Sequence, residues 1–297
     1  MKNNAQLQKN IATSISGAIG KNFSITGLNT LSGGCINASY AVSGGNQRFF
    51  LKLNSASSLS MFEAEYQALL ELASSNTIRV PHPVCTGQYD SHSWLVMEHL
   101  PLLNNGNQQK LGEQLAAMHS VTQECFGWSR DNTIGSTPQI NSPGNDWVKF
   151  FRDQRLKYQL RLAAAKGYTG SLQKAGAVLL NCLDDFFIGY KPVPSLLHGD
   201  LWSGNYAFLE NKEPVIFDPA TYYGDREADI AMTELFGGFS TEFRTSYEAC
   251  WPLDNGYQIR KHLYNCYHIL NHLNLFGGGY AAQAENLIIR LLSERNG

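Results

Sequence analysis

One stretch narrows what this chain can fold into more than any other. It reads Leu197-His198-Gly199-Asp200-Leu201-Trp202-Ser203-Gly204-Asn205 and is followed by Val215-Ile216-Phe217-Asp218-Pro219-Ala220. A carboxylate on a tight loop, Asp200, can hold a hydroxyl and accept its proton. An amide oxygen further along that loop, Asn205, and a carboxylate at the end of the next strand, Asp218, are oxygen ligands of the kind Mg²⁺ takes together with phosphate oxygens. A lone H-G-D tripeptide is a common turn. The set H-G-D-x4-N followed by a strand-terminal Asp is the arrangement of kinase-type phosphoryl transfer, and the spacing points to that chemistry.

The first hundred residues supply the complementary half. Leu31-Ser32-Gly33-Gly34-Cys35-Ile36-Asn37 lies between two strand-like runs, and Gly33 and Gly34 let backbone N–H groups approach phosphate. Lys52 sits mid-strand in Phe49-Phe50-Leu51-Lys52-Leu53, where an unpaired buried ammonium is costly. The following helix carries Glu63 and Glu65. A Lys–Glu pair from strand to helix aims a lysine at phosphates. Glu65 is the preferred partner and Glu63 the alternative. Ser93–Leu100 ends this region as a strand running into a hinge. In kinase-like folds the hinge backbone binds adenine, so Met97 is expected to line the back of that pocket, with the Glu98 carbonyl and the Leu100 amide facing the base edge.

Periodicity gives the organisation. Leu7, Ile11, Ile15 and Ile19 mark a helix over 5–20, and a second helix spans 59–74 with Phe62, Tyr66, Leu69, Leu70 and Ala73 on one face. Strands are expected at 23–25, 38–42 and 48–53, and 84–88 with 93–97 reads as a hairpin. Helices are expected at 108–119, 145–166, 171–188, 227–237, 241–249, 256–275 and 280–295, interrupted by a β-rich island at 196–220. The fold class is therefore α+β: an ATP-binding lobe with a small antiparallel sheet over 1–99, and a large, mainly helical lobe over 100–297 carrying the catalytic loop and acceptor site. Lys+Arg number 23 against 25 Asp+Glu, a net charge of −2 that excludes a protein held on nucleic acid or a membrane surface by bulk charge. The six cysteines form no C-x-x-C pair, so zinc-ribbon and thioredoxin readings fall away and a reducing cytoplasm is expected.

The chain resembles the fructosamine (ketosamine) kinases, a branch of the aminoglycoside-phosphotransferase-like, protein-kinase-like superfamily. The resemblance runs over nearly the whole length. It rests on Gly33–Asn37, Met61–Glu65, Leu95–Leu100, His198–Asn205, Asp218–Asp229, Leu235–Phe239 and Leu270–Asn274. It implies ATP- and Mg²⁺-dependent phosphorylation of a sugar hydroxyl, at C3 in the best-known members. The acceptor is a ketosamine, free or on a glycated protein side chain, whose phosphate then decomposes and frees the amine. It further implies Asp200 as base, Asn205 and Asp218 as Mg²⁺ ligands, Lys52 and Glu65 as phosphate holders, Trp202 at the sugar, and Asp229 as a brace for the catalytic loop. Another small acceptor (an aminoglycoside, choline, homoserine or a thio-sugar) is the alternative, with a non-catalytic nucleotide-binding regulator behind it. A monomer or weak dimer is expected.

Two further features favour a small acceptor or touch the site. Only a short segment separates Asp218 from Asp229 and no A-P-E follows, which leaves no room for a protein-kinase activation loop. His268 and His272 stand i, i+4 on a helix with His262 two turns earlier, but no Glu-x-x-His core accompanies them, so metal binding is not expected; Asn271, His272 and Asn274 are instead expected to face the sugar. His119 reads as a structural cap at a helix end. Cys35, in the glycine loop, is a candidate redox handle.

Overall fold

The structure, a computed structural model, describes residues 4–31 and 36–295. Gly33, Gly34 and Cys35, the glycine-loop residues singled out above, lie outside the described residues. Two compact units divide the chain: Met1–Asn107 with Ala207–Asp218, and Gln108–Tyr206 with Pro219–Gly297. The boundary expected between residues 99 and 100 falls a few residues before Gln108, and the excursion to Asp218 returns to the first unit.

In the first unit β1 (Gly27–Leu31), β2 (Ala38–Gly44), β3 (Gln47–Ser55), β4 (Pro83–Tyr89) and β5 (His92–Glu98) form one antiparallel sheet in the order β1-β2-β3-β5-β4. Strand alternation sorts their side chains. Phe49, Leu51 and Leu53 of β3 and Trp94 and Val96 of β5 pack with Leu7, Ile11 and Ile15 of α1 (Ala5–Ile19) in one buried cluster. The intervening residues take the other face, where Lys52 lies opposite Leu95 and Phe50 opposite Met97. The helix α2 (Leu59–Ser74) supplies Glu65 there and buries Phe62, Ala64, Ala68, Leu69 and Leu72. Its buried face is thus turned from the expected one, with Tyr66 and Leu70 only half-buried.

Phe23–Ile25 is not a strand. The backbone there is held by a side chain instead, since Ser16 Oγ accepts from Phe23 N at 2.9 Å. Phe23 still enters the core, edge-on to Phe49 at 5.2 Å.

The second unit contains α3 (Gln108–His119), the short hairpin β6 (Asn132–Ile134) and β7 (Thr137–Gln139), and a continuous helical run. That run is α4 (Trp147–Phe150), a π-helical stretch Phe151–Leu156, and α5 (Lys157–Ala165). The β6–β7 hairpin was not expected; three-residue strands leave too little alternation to read. The π-helical stretch carries Arg155, which is fully buried and donates to Ile140 O and Asn141 Oδ1. Its guanidinium lies 4.1 Å from the Tyr222 ring centroid and 4.7 Å from that of Phe150, so aromatic faces hold the charge. The expected helix at 171–188 divides into α6 (Ser171–Asn181) and a 3₁₀ turn, Leu183–Phe187. The remaining elements are β8 (Ser195–Leu197), β9 (Tyr206–Phe208), β10 (Pro214–Ile216), β11 (Tyr222–Gly224), α7 (Glu227–Leu235), α8 (Thr241–Cys250), α9 (Tyr257–Phe276) and α10 (Tyr280–Glu294).

Candidate active site

In the first unit the sheet and the returning excursion bring three charges together. Lys52 Nζ donates to Glu65 Oε1 and to Asp218 Oδ1, both at 2.6 Å. Lys52 is 4% exposed. Asp218 follows β10, which pairs with β9, and the excursion is tied to its own unit by backbone bonds. Ile216 N donates to Arg79 O, and Leu103 and Phe208 exchange bonds of 2.7 and 2.9 Å. Asp218 adopts a left-handed backbone, φ 57°, which is uncommon for a residue other than glycine and clusters at functional sites.

Burial works against the Lys52 ammonium, but the carboxylates of Asp218 and Glu65 outweigh it and raise its pKa. Burial pushes the Glu65 carboxyl up, and Lys52 opposes it. The carboxyl groups of Glu65 and Asp218 share the one ammonium. Met97 shares the Lys52 face of the sheet and is buried. Glu98 closes β5; its N–H donates to His82 O at 2.8 Å, and its carboxylate is held by Arg79 and His82 N. Leu100 lies just beyond the strand, in irregular chain.

The second unit holds the catalytic-type loop. His198 is buried, and Gly199 has φ 84°; a Cβ there would come within 2.1 Å of Ala220 O, so only glycine fits. The helix α7 braces this loop through Asp229. Its Oδ2 accepts from His198 N at 2.7 Å and its Oδ1 from Gly199 N at 2.8 Å. His119 Nε2 bonds the same carboxylate at 3.1 Å, and its Nδ1 meets Tyr247 OH at 2.8 Å. Burial alone would raise the Asp229 pKa, but these partners hold it below the usual value. His119 is therefore a buried link between two helices and the loop.

Asn205 Nδ2 donates to Asp200 O at 2.8 Å and to Asp200 Oδ2 at 3.3 Å. The amide's donor side is thereby committed to the loop, which leaves its carbonyl oxygen as the ligand-type atom. The indole of Trp202 folds back over the loop, and a Cβ on Gly204 would come within 2.3 Å of it. Trp202 is 39% exposed and meets the Phe236 ring edge-on at 6.5 Å. Phe236 in turn lies 5.0 Å from His272. Trp202 and His272 thus share one aromatic cluster. Asn271 faces the other way: it is 2% exposed, and its amide bonds Gln159 and Ile134 O.

Sequence reasoning missed the Lys52–Asp218 contact, because the two are distant in the chain and no local pattern joins them. It also missed Phe236 and Phe276 as partners of His272; the available signals were the motif Leu235–Phe239, which contains Phe236, and the i, i+4 spacing of His272 and Phe276. Among the described residues no group of three or more His, Cys, Asp or Glu could hold a metal ion.

The comparisons with known proteins agree with one another. The fructosamine kinase family pattern matches residues 7–294. A probable ketoamine kinase of Synechocystis is 47% identical over 285 residues, 95% of this chain and 96% of the relative. A chloroplastic protein-ribulosamine 3-kinase of Arabidopsis thaliana is 42% identical over 275 residues, 91% and 83% of the two chains. The crystal structure of a putative fructosamine-3-kinase from Haemophilus somnus superposes with a TM-score of 0.87 at 30% identity, covering 95% and 96%. The α+β, kinase-like fold expected from the sequence stands.

Proposed function

The chain belongs to the fructosamine kinase family, and we propose that it transfers the terminal phosphoryl group of ATP to the 3-hydroxyl of a ketosamine, the first step of a deglycation. The observation that carries the kinase reading is Lys52, a nearly fully buried ammonium between two carboxylates. A buried charge cluster of this kind is poor stabilisation on its own. It is well suited to hold an ammonium against phosphate oxygens.

In this reading Asp200 accepts the proton of the attacking sugar hydroxyl. Asn205 and Asp218 are the oxygen ligands of Mg²⁺, and the donor set fits, since Asn205 keeps its carbonyl oxygen and Asp218 is half-exposed. Bound Mg²⁺ neutralises developing charge on the phosphates. Lys52, held by Glu65, orients the α- and β-phosphates. Met97, the Glu98 carbonyl and the Leu100 amide receive the adenine. Asp229 keeps the Asp200 loop in place, and Trp202 and His272 meet the acceptor, with Asn271 supporting from behind.

An aminoglycoside acceptor is disfavoured. The acids after Asp218 that could meet a polycation are Asp225, Glu227 and Asp229, which are 1%, 0% and 1% exposed. Asp225 accepts from Tyr190 and Tyr264, and Glu227 pairs with Arg260 through bonds of 2.8 and 2.9 Å. Among the described residues no helix is long and apolar enough to cross a membrane. A cytoplasmic monomer or weak dimer completes the reading.

The test is ADP formation with ribulosamine- and fructosamine-type acceptors, with kanamycin as the contrasting acceptor. Ketosamines stimulate turnover and kanamycin does not. Asp200→Asn keeps ATP binding and loses about 10²–10⁴ in turnover, the span attributed to a general base. Robust kanamycin phosphorylation without ketosamine turnover, or a near-normal Asp200→Asn enzyme, overturns the reading.

A further inference from the structure

A ketosamine carries a secondary amine that is protonated near neutral pH, and an acceptor site must either meet that charge or exclude it. Asp225, Glu227 and Asp229, the acids that follow Asp218, are buried and paired, as described above. Glu234, at the end of α7, is engaged by Tyr257, Arg244 and Lys261. What the second unit presents around Trp202 is a run of rings. Trp202 and Phe236 are 6.5 Å apart, Phe236 and His272 5.0 Å, His272 and Phe276 5.6 Å, and His272 and Tyr280 5.2 Å.

Three of these side chains are substantially uncovered: Trp202 at 39%, Phe236 at 40% and Phe276 at 56%. Contiguous exposed aromatics mark an interaction site more often than a packing defect. The run begins two positions after Asp200, so it is continuous with the loop that would hold the reacting hydroxyl.

We propose that Trp202, Phe236, His272, Phe276 and Tyr280 form the subsite for the amine half of the acceptor, taking its ammonium by cation–π contact and its aliphatic substituent by apolar contact. The proposal rests on the reading of Asp200 given above. Ring faces carry a negative quadrupole that attracts a partly desolvated cation without a formal countercharge. The His272 ring does not oppose such a cation. Burial lowers its pKa, although its own bond to the His268 carbonyl works the other way, so the ring is neutral at physiological pH. Rings favour a single ammonium flanked by methylene groups.

The experiment compares a fructosyl-alkylamine with its N-acetyl derivative, which keeps the sugar and loses the charge. Preference is the ratio of the two kcat/KM values. The parent enzyme prefers the charged acceptor. Phe276→Leu and Tyr280→Leu keep apolar bulk and remove the ring face, and each lowers the preference by about two- to fivefold; the double variant lowers it by about 4- to 25-fold. Phe276→Trp holds or raises it. Phe276 is mostly exposed and Tyr280 opens α10, and thermal melting checks that each variant is folded. A parent enzyme that uses ketosamines but shows no preference, or leucine variants that keep the full preference, overturns the subsite while leaving the kinase assignment intact. A parent enzyme that uses neither compound overturns both.

Discussion

Lys52 shows how a single residue's position in a strand decides its chemistry. The odd-numbered neighbours Phe49, Leu51 and Leu53 face α1 and the core, so Lys52 must face α2. Its stem is enclosed, and its ammonium is left with Glu65 and Asp218 as partners. A lysine kept for stability and one kept for phosphate make different predictions. Lys52→Met preserves length and apolar bulk, and Glu65 can protonate to relieve the remaining repulsion. Turnover is expected to fall by about 10² or more, the range seen when one preorganised donor is removed. The melting temperature is expected to move by a few degrees at most, corresponding to about 1 kcal/mol. A variant that loses ten degrees or more and retains turnover would make Lys52 structural. The lysine was legible from its place in the strand; Glu65 was preferred over Glu63, but the helix pattern alone did not decide between them. Asp218 as the second partner was not legible, because a contact between distant segments leaves no periodic trace.

At the scale of elements, α7 is short but fixes the catalytic-type loop through its first turn. Glu227 and Asp229 sit where a helix N-terminus favours negative charge. Asp229 turns that preference outward and accepts two loop N–H groups and His119. Asp229→Asn retains one acceptor oxygen and loses the charge. Stability is expected to drop by about 1–3 kcal/mol, as for one partner removed from a buried charged network. Turnover should fall about tenfold or more while nucleotide Kd stays within about threefold, because the residue acts through the loop rather than on the nucleotide. Calorimetric nucleotide titration beside steady-state kinetics reads both; a nucleotide affinity that falls in step with turnover would refute a positioning role. The brace was implied by the family resemblance over Asp218–Asp229, where an acid opens a helix soon after the motif. Its third arm, from His119 at the end of α3, was not. A helix-terminal histidine reads as a cap by default, and only the packing of α3 against α8 turns it inward, where it meets Tyr247 and reaches Asp229.

Across the whole molecule, most long helices and the sheet strands were legible because their apolar periods extend over many residues, while the β6–β7 hairpin and the 3₁₀ turn at Leu183–Phe187 were too short to carry a period. The buried polar groups inside the helical unit were the least legible, and one of them sets a pH response. His268 on α9 is 4% exposed, and its Nδ1 has no hydrogen-bond partner. Burial lowers its pKa from 6.5 to about 3, with His272 adding to the shift. Between those two values the unfolded chain binds a proton that the folded chain does not, so stability rises with pH across this window and is lost as pH falls through it. At pH 5.5 the loss from this one group is about 1.4 kcal/mol relative to pH 7.5. Glu227, whose carboxyl burial raises to about 7, responds in the opposite sense, so the total curve of the parent protein does not isolate His268. His268→Leu does: it removes the titration and the unpartnered nitrogen and keeps an apolar side chain in the core. Chemical unfolding of parent and variant at pH 7.5 and pH 5.5 is expected to show the variant losing about 1.4 kcal/mol less on acidification. Equal acid sensitivity in the two proteins would mean that His268 is protonated in the folded state and that burial does not control it.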